Sequence, residues 1–372
     1  MIEDYNELSP IYREKYKLTV LPKWRKKLVI LKMIVLEIIF LIEITFRTIK
    51  SVLFYFFTHK KGYVFKDIIY GPNERNQCDI YIPLSSNYLL NNKKDLPVVL
   101  FMHGGSWGFG HKLQYILLGK KLSERGIVTM VINYRLTPKG NIDDMLEDIN
   151  NATLFCYENI ENYGGDKNKI YLMGHSAGGH IISQYVIENY SKPIDTENEK
   201  KQNIKKRVPL SGVFPLSAPL HINDHFLFET KRGVEHISPM RPAMKGPKYF
   251  DQYSPSVVLE KIKDKSIRDD KLPTPFPSFY ILHGVDDATV PLSSSTKFFS
   301  ILMRKLANPT ARTLFLKAYP KIKHIDLIFN VCDDNLIIER NIFNGIDDDD
   351  TNNNNNNNIQ SILNDMINII KN

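Results

Sequence analysis

The sequence of this 372-residue chain predicts an α/β fold with a mainly parallel, doubly wound sheet. Short apolar runs, typical of strands that are buried on both faces, alternate along the chain with segments of helical apolar spacing. One of these runs, residues 170–173, passes through a glycine-rich turn directly into the helix-like residues 181–190. In a fold of this kind, the tight turn between a strand and the following helix is a position for a functional residue.

The other elements follow the same alternation. The predicted strands are two edge strands at residues 63–70 and 78–82, then residues 96–102, 127–133 and 170–173, a run ending at 213, a run beginning at 279, and residues 313–319. The predicted helices are residues 113–124, a helix capped by Asn141, and residues 181–190. Strands and helices that alternate in this way form a parallel sheet with helices on both faces.

The glycine-rich turn reads Gly174-His175-Ser176-Ala177-Gly178 and matches the G-x-S-x-G pattern of a nucleophile elbow. Glycine is needed at both ends because side chains there would block the close approach of strand and helix, and the serine backbone is strained. We therefore predict that Ser176 is a catalytic nucleophile. A structural turn is the alternative, since the pattern by itself also occurs by chance.

A serine nucleophile needs an acid and a base, and in this kind of fold the acid follows the serine and the histidine comes last. Of the ten histidines, only His324 lies beyond the candidate acids Asp286 and Asp287. The spacing G-x-x-D-x-x-V-P, which begins at Gly284, favours Asp287 as the acid and leaves Asp286 as a solvated loop residue. His324 is then the predicted base; the alternative is a surface histidine among lysines.

The motif His103-Gly104-Gly105-Ser106-Trp107 follows the predicted strand at residues 96–102. In the same kind of fold, this motif supplies backbone N–H groups that stabilise the oxyanion of a tetrahedral intermediate. We predict that the donors are Gly104, Gly105 and Ala177, the residue after the nucleophile. A glycine-rich turn without a ligand is the alternative.

Composition narrows the possible partners. The formal net charge of +8 is spread along the chain without a nucleic-acid-binding motif, so we expect no nucleic acid and favour an anionic membrane surface. The three cysteines indicate neither a disulfide framework nor a metal site. His221, His225 and His236 fit no zinc motif, and serine chemistry needs no metal. We therefore predict no metal and no cofactor.

An apolar segment precedes the predicted sheet. Residues 28–46 contain 15 apolar residues and three charges, and 19 residues are long enough to span a bilayer. We predict a hydrophobic, membrane-anchor-like helix within the N-terminal part, residues 1–60, and expect association with the endoplasmic reticulum or the Golgi. The alternative is an amphipathic helix that covers the catalytic domain. Four basic residues flank each side of the segment, so its orientation stays open.

The rest of the chain divides into three further parts. Residues 61–346 form the predicted catalytic domain, with a lid at about residues 216–260. Residues 347–358 are a low-complexity insertion of aspartate and asparagine, and residues 359–372 are predicted to form a C-terminal helix. Large apolar side chains recur in the lid. We predict that Phe226 and Phe228, together with Trp107 on the oxyanion loop, contact an apolar substrate.

Residues 62–329 resemble the isoprenylcysteine α-carboxyl methylesterases, membrane-associated α/β-hydrolases that cleave the methyl ester of prenylated cysteine. The matching motifs are H-G-G-S-W at His103, N-Y-R-L at Asn133, Y-G-G-D-K-N-K-I-Y-L-M-G-H-S-A-G-G-H at Tyr163, N-D-H-F at Asn223 and K-H-I-D-L at Lys323. The resemblance implies an α/β-hydrolase fold, a Ser-His-Asp triad, and a prenylated cysteine methyl ester or a similar apolar ester as substrate.

Three positions depart from the family pattern. His175 and Gly179 stand where glutamine and alanine are usual, and Ile325 stands where threonine is usual.

Two other functions remain possible. Kynurenine formamidases share H-G-G-x-W and G-H-S-A-G, which would make the chain an arylformamidase, and a general lipid esterase or carboxylesterase is close to both. A non-catalytic hydrolase-fold receptor is disfavoured because all three triad residues are present. The oligomeric state stays open.

Overall fold

An eight-stranded sheet runs through the part of the chain that the computed structural model describes. The described residues are 63–83, 95–191, 207–235, 237–265, 267, 275–307, 312–329 and 361–371, with Lys27, Leu28, Leu31, Val35, Ile42 and Ile49 near the N-terminus. The strands are β1 (Val64–Ile69), β2 (Gln77–Tyr81), β3 (Leu96–Met102), β4 (Val128–Ile132), β5 (Gly165–His175), β6 (Gly212–Leu216), β7 (Ser278–Gly284) and β8 (Leu314–Tyr319).

The strands lie side by side in the order β1-β2-β4-β3-β5-β6-β7-β8. Strand β2 is antiparallel to both of its neighbours, and all the other neighbouring pairs are parallel. The mainly parallel sheet predicted from the sequence is therefore confirmed, including the antiparallel pair at its edge.

Helices cover the sheet. They are α1 (Ile116–Glu124), α2 (Ile142–Asn159), α3 (Ala177–Tyr190), α4 (Ile222–Arg232), α5 (Met240–Ala243), α6 (Pro255–Glu260), α7 (Ser293–Lys305), α8 (Asp326–Phe329) and α9 (residues 361–371). Helix α2 begins as the sequence predicts, because the side chain of Asn141 accepts the N–H of Asp143 at 2.9 Å.

Alternate side chains of the central strands pack on opposite faces of the sheet. In β3, Val98, Leu100 and Met102 are buried with residues of α2, α3 and α7. The intervening Val99 and Phe101 are buried with residues of α1, α8 and α9. Because both faces are covered, the central strands are continuous apolar runs rather than alternating ones. This is the doubly wound arrangement that the sequence predicts.

The parallel strands bring the predicted functional segments to one edge. The carboxyl ends of β3, β5, β7 and β8 lie at the same side of the sheet, and ligands of open α/β sheets bind outside that side. The H-G-G motif follows β3, the elbow follows β5, Asp287 follows β7 and His324 follows β8. The strand order alone therefore brings residues that are far apart in the sequence to the same edge of the sheet.

The segment predicted as a lid contains α4, α5 and α6 and is bonded to the main body of the fold. The Lys245 ammonium lies 2.6 Å from the carboxylate of Asp143 at the start of α2, and the Tyr253 hydroxyl donates to the same carboxylate at 2.7 Å. The backbone carbonyl of Tyr253 accepts the Nε2–H of His180 on α3 at 2.7 Å. These bonds connect the lid segment to two helices of the same sheet face.

The predicted N-terminal helix, residues 28–46, falls mostly outside the described residues. Leu28, Leu31, Val35, Ile42 and Ile49 are helical, and 47–58% of each is exposed. Across the described ranges, we find no helix with the length and apolar character needed to cross a bilayer. The insertion predicted at residues 347–358 also lies outside the described residues.

Candidate active site

Ser176 stands on the turn between β5 and α3, in a backbone conformation of φ 53° and ψ −119°. A residue with a β-carbon rarely adopts a positive φ, so the turn is strained. Both glycines of the motif are sterically required, because a β-carbon at Gly174 would lie 2.6 Å from the carbonyl of Gly178, and one at Gly178 would lie 2.3 Å from the carbonyl oxygen of Met102. The sequence therefore folds here into the sharp elbow that presents a serine hydroxyl.

Asp287 and His324 are hydrogen-bonded to each other. The Nδ1–H of His324 donates to Oδ2 of Asp287 at 2.7 Å, and Oδ1 accepts the N–H groups of Thr289 and Val290, both at 2.8 Å. Asp287 is 7% exposed, whereas Asp286 is exposed. The structure thus brings the predicted acid and base together and leaves the alternative acid in solvent.

The carboxyl of Asp287 stays ionised at neutral pH. Burial by itself raises the pKa of Asp287, but the charge of His324, the hydrogen bond from its ring and the N–H of Val290 together outweigh burial and lower the pKa to about 2. An ionised carboxylate at Nδ1 fixes the tautomer of His324 and leaves Nε2 as the nitrogen that can accept a proton.

The loop that carries His324, residues 320–325, lies against the elbow. Nε2 of His175 donates to the backbone carbonyl oxygen of His324 at 2.9 Å, and the two ring centroids are 4.8 Å apart. His175 directly precedes Ser176, so the loop that carries His324 contacts the elbow. All three predicted triad residues therefore lie at the carboxyl edge of the sheet. Their catalytic roles stay a prediction.

The predicted oxyanion donors differ from one another in the structure. A β-carbon on Gly104 would lie 3.1 Å from that of Ser176, so the H-G-G loop packs on the elbow. The N–H of Gly104, however, donates to the hydroxyl of Tyr115 at 3.3 Å. Among the described residues, no acceptor contacts the N–H of Gly105. Ala177 is the first residue of α3, where an N–H has no acceptor within its helix. Of the three N–H groups, that of Gly104 therefore has a partner in the described part of the protein, and the oxyanion role of all three stays a prediction.

The three residues predicted to contact substrate have different surroundings. Trp107 is 1% exposed, and its indole N–H donates to Nδ1 of His180 at 3.2 Å. Phe226 is 6% exposed and packs against Phe250, with ring centroids 5.3 Å apart. Phe228 is partly exposed, beneath the Arg232 guanidinium. Trp107 and Phe226 are thus packed inside the protein, which leaves Phe228 as the accessible aromatic side chain of the three.

Sequence reasoning missed several side chains that hold the site. Tyr115 binds the oxyanion loop, His180 binds Trp107, and His283 lies 3.5 Å from Oδ2 of Asp287 through Nε2. Burial lowers the pKa of His283, so its ring is neutral beside the acid. Two of these residues lie in segments that the sequence singled out: His180 ends the motif that begins at Tyr163, and His283 lies in the predicted strand before the acid. Within the described ranges, no group of three or more His, Cys, Asp or Glu side chains could hold a metal ion.

The strand order and the elbow between β5 and α3 define an α/β-hydrolase fold. The crystal structure of esterase B from Lactobacillus rhamnosis has this fold too, with a TM-score of 0.59 and 14% sequence identity over 94% of this chain and 99% of that chain. At this identity the likeness concerns the fold alone.

Residues 78–302 match the BD-FAE family, and the chain belongs to that family. The probable isoprenylcysteine alpha-carbonyl methylesterase ICME of Oryza sativa subsp. japonica is 36% identical over 70% of this chain and 58% of that protein. Kynurenine formamidase of Danio rerio is 29% identical over 40% of this chain and 46% of that protein. The chain thus spans about half the length of these relatives. The resemblance to the methylesterases seen in the sequence motifs is confirmed.

Proposed function

We propose that this chain is a serine carboxylesterase in which Ser176, His324 and Asp287 act as a triad. The observation that carries the proposal is the hydrogen bond between the Nδ1–H of His324 and Asp287, formed by a loop that touches the elbow bearing Ser176. A buried carboxylate, an oriented imidazole and a strained serine are the three parts that activate a hydroxyl for attack on an ester.

The proposed reaction has two halves. Oγ of Ser176 attacks the ester carbonyl carbon while Nε2 of His324 takes the hydroxyl proton. The oxyanion that forms is stabilised by the N–H groups of Gly105 and Ala177 and by the positive end of the α3 dipole. The bond to the leaving methoxy oxygen then breaks, and His324 returns the proton to give methanol. Water, deprotonated by His324, then attacks the acyl carbon; the bond to Oγ of Ser176 breaks, His324 returns the proton to Oγ, and the acid is released.

For the substrate, we propose the methyl ester of a prenylated cysteine. The support is the similarity to a protein that bears the name isoprenylcysteine alpha-carbonyl methylesterase, together with the apolar side chains of the lid segment. The second candidate is an arylformamidase, favoured by the similarity to kynurenine formamidase. The two differ in the bond that is cleaved, an ester or an amide, and in the need for an apolar chain.

We expect kcat/KM to rise with prenyl length across acetyl, geranyl and farnesyl cysteine methyl esters. Burying only about 60 Å² of chain contributes about 1.5 kcal/mol, so the rise from acetyl to farnesyl should be at least about tenfold.

Phe228→Ala should flatten this dependence of kcat/KM on prenyl length without slowing short esters, because the triad stays in place. Phe226→Ala should instead destabilise the fold by about 3–5 kcal/mol, since Phe226 is buried.

The same series separates the two candidate functions. N-formylkynurenine and a p-nitrophenyl ester are assayed beside the cysteine methyl esters with the same protein. Rates that do not change with chain length, or faster turnover of N-formylkynurenine, would contradict the methylesterase proposal and leave a serine hydrolase of another specificity.

We also propose that residues 1–60 associate with a membrane. Leu28, Val35, Ile42 and Ile49 are spaced by seven, and on a continuous helix such positions drift by only about 20° per repeat. Their exposed fractions of 47–57% would leave an apolar face for lipid. That the membrane is the endoplasmic reticulum or the Golgi stays a prediction.

Deleting residues 1–58 should release the protein from membranes and preserve its turnover of a p-nitrophenyl ester. The measurement is the partition between membrane and soluble fractions of full-length and truncated protein, with the esterase rate as the control for folding. A full-length protein that is entirely soluble, or a truncated protein that aggregates, would favour a helix that covers the catalytic domain.

A further inference from the structure

His175 contacts two loops of the site, although the reaction described above gives it no role. Its side chain is 3% exposed, and Nε2–H donates to the backbone carbonyl oxygen of His324 at 2.9 Å. The rings of the two histidines also meet, with centroids 4.8 Å apart and an interplanar angle of 40°. Ser176 is the next residue in the chain. One imidazole therefore joins the nucleophile's own backbone to the backbone of the base.

The other edge of the same ring faces the oxyanion loop. A β-carbon built on Gly104 would lie 3.1 Å from Nδ1 of His175 and 2.9 Å from its carbonyl oxygen. The backbone of Gly104 is thus packed directly against His175. The elbow, the oxyanion loop and the loop of residues 320–325 meet at this side chain.

Two kinds of hydrogen bond hold the loop of residues 320–325. The N–H of Asp286 donates to the carbonyl of Ile322 at 3.1 Å, which ties this loop to the one that carries the acid; next to it, the N–H of Val285 donates to the carbonyl of Tyr319, the last residue of β8, at 2.9 Å. The bond from His175 ties it to the elbow. Asp287 fixes the rotation of the His324 ring by accepting its Nδ1–H, whereas His175 fixes the position of the His324 backbone relative to Ser176.

We propose that His175 is a positioning residue whose Nε2–H holds the carbonyl of His324 and so fixes the distance between the base and the Ser176 hydroxyl. The inference rests on the proposed function, because it takes His324 as the base. A displacement of about 1 Å between reacting groups lowers the rate by about 100-fold. Loss of this hydrogen bond should therefore lower kcat more than it affects substrate binding.

The ring suits this position in its neutral form. Burial, followed by the charge of His324, lowers the pKa of His175 to about 3. The side chain therefore carries no charge at neutral pH and does not repel the imidazolium that forms on His324 during turnover. Its N–H is nevertheless retained, since the acceptor is a carbonyl oxygen.

Two substitutions at His175 separate the effect of the N–H donor from the effect of side-chain shape. Glutamine places an amide nitrogen about as far from its α-carbon as histidine places Nε2, and it can donate to the same carbonyl. Methionine is an unbranched side chain of similar length without a donor. Glutamine is also the residue that the methylesterase resemblance leads us to expect here. His175→Gln should thus keep the function that His175→Met loses.

The test measures kcat, KM and the thermal unfolding midpoint on the full chain with p-nitrophenyl butyrate. We expect His175→Met to lower kcat by about 30- to 100-fold with KM changed less than about threefold, and His175→Gln to stay within about threefold of wild type. Both variants should unfold at similar temperatures. His111→Gln is the control for loss of a histidine elsewhere, because His111 is half-buried and bonds to Asn133.

Two outcomes would overturn the role of His175. One is full activity of His175→Met, and the other is an equal loss in the Gln and Met variants, which would show that shape rather than the N–H matters. If His175→Met does not fold, His175→Leu replaces it in the same comparison. Wild-type turnover is measured first, and its absence would contradict the proposed function itself, whereas an active His175→Met variant would contradict only the role of His175.

Discussion

Replacing Ser176 by alanine is expected to abolish ester hydrolysis, with a loss of kcat on the order of 10⁶-fold. The substitution removes the atom that forms the acyl-enzyme in the proposed reaction, while the β-carbon and the backbone conformation at φ 53° are retained. We therefore expect a thermal unfolding midpoint close to that of wild type. A fluorophosphonate probe should label wild-type protein at Ser176 and should not label the variant.

Ser183 provides the matched control for this experiment. It lies in α3, the helix that begins directly after Ser176, is buried, and donates through Oγ to the carbonyl oxygen of Gly179 at 2.7 Å. Ser183→Ala should keep its turnover and its fluorophosphonate labelling, because that hydroxyl is bonded within the helix. Labelling at any serine other than Ser176 would contradict the assignment of the nucleophile.

Asp287→Asn is expected to lower kcat by about 10⁴-fold, while Asp286→Asn stays within about twofold of wild type. The carboxylate of Asp287 accepts the Nδ1–H of His324 at 2.7 Å, and an amide that donates at this position would reverse the tautomer of the ring. Asp286 is exposed, so its side chain has no comparable effect. Steady-state rates on a p-nitrophenyl ester decide the comparison.

The two adjacent aspartates control for each other, because both substitutions remove one negative charge from the same loop. Equal folding of the two variants is checked by their thermal unfolding midpoints. If Asp286→Asn proved the more damaging of the two, the acid would move by one residue, and the spacing argument that favours Asp287 would be wrong.

The sequence predicted the parts of this molecule that depend on steric rules and chain order. Strands buried on both faces appear as continuous apolar runs, and the glycines at 174 and 178 mark a turn that no larger residue fits. The triad candidates were found because only one histidine follows the acid. These signals are local, or depend only on order along the chain, so one sequence is enough to find them.

Other features of the site depend on contacts that a single sequence does not contain. The N–H of Gly104 is taken by the hydroxyl of Tyr115, and nothing in the motif indicates that partner. Trp107 was predicted to contact substrate together with the aromatic side chains of the lid, yet it is buried against His180. Side-chain identity gives size and polarity, but the direction of a side chain follows from tertiary packing.

The positive φ of Ser176 also has a consequence for the stability of the fold. A residue other than glycine in such a conformation costs roughly 1–3 kcal/mol, and glycine adopts it freely. Stability alone would therefore favour glycine at this position. The serine that stands here takes the least favourable backbone conformation of the elbow, which stability does not explain.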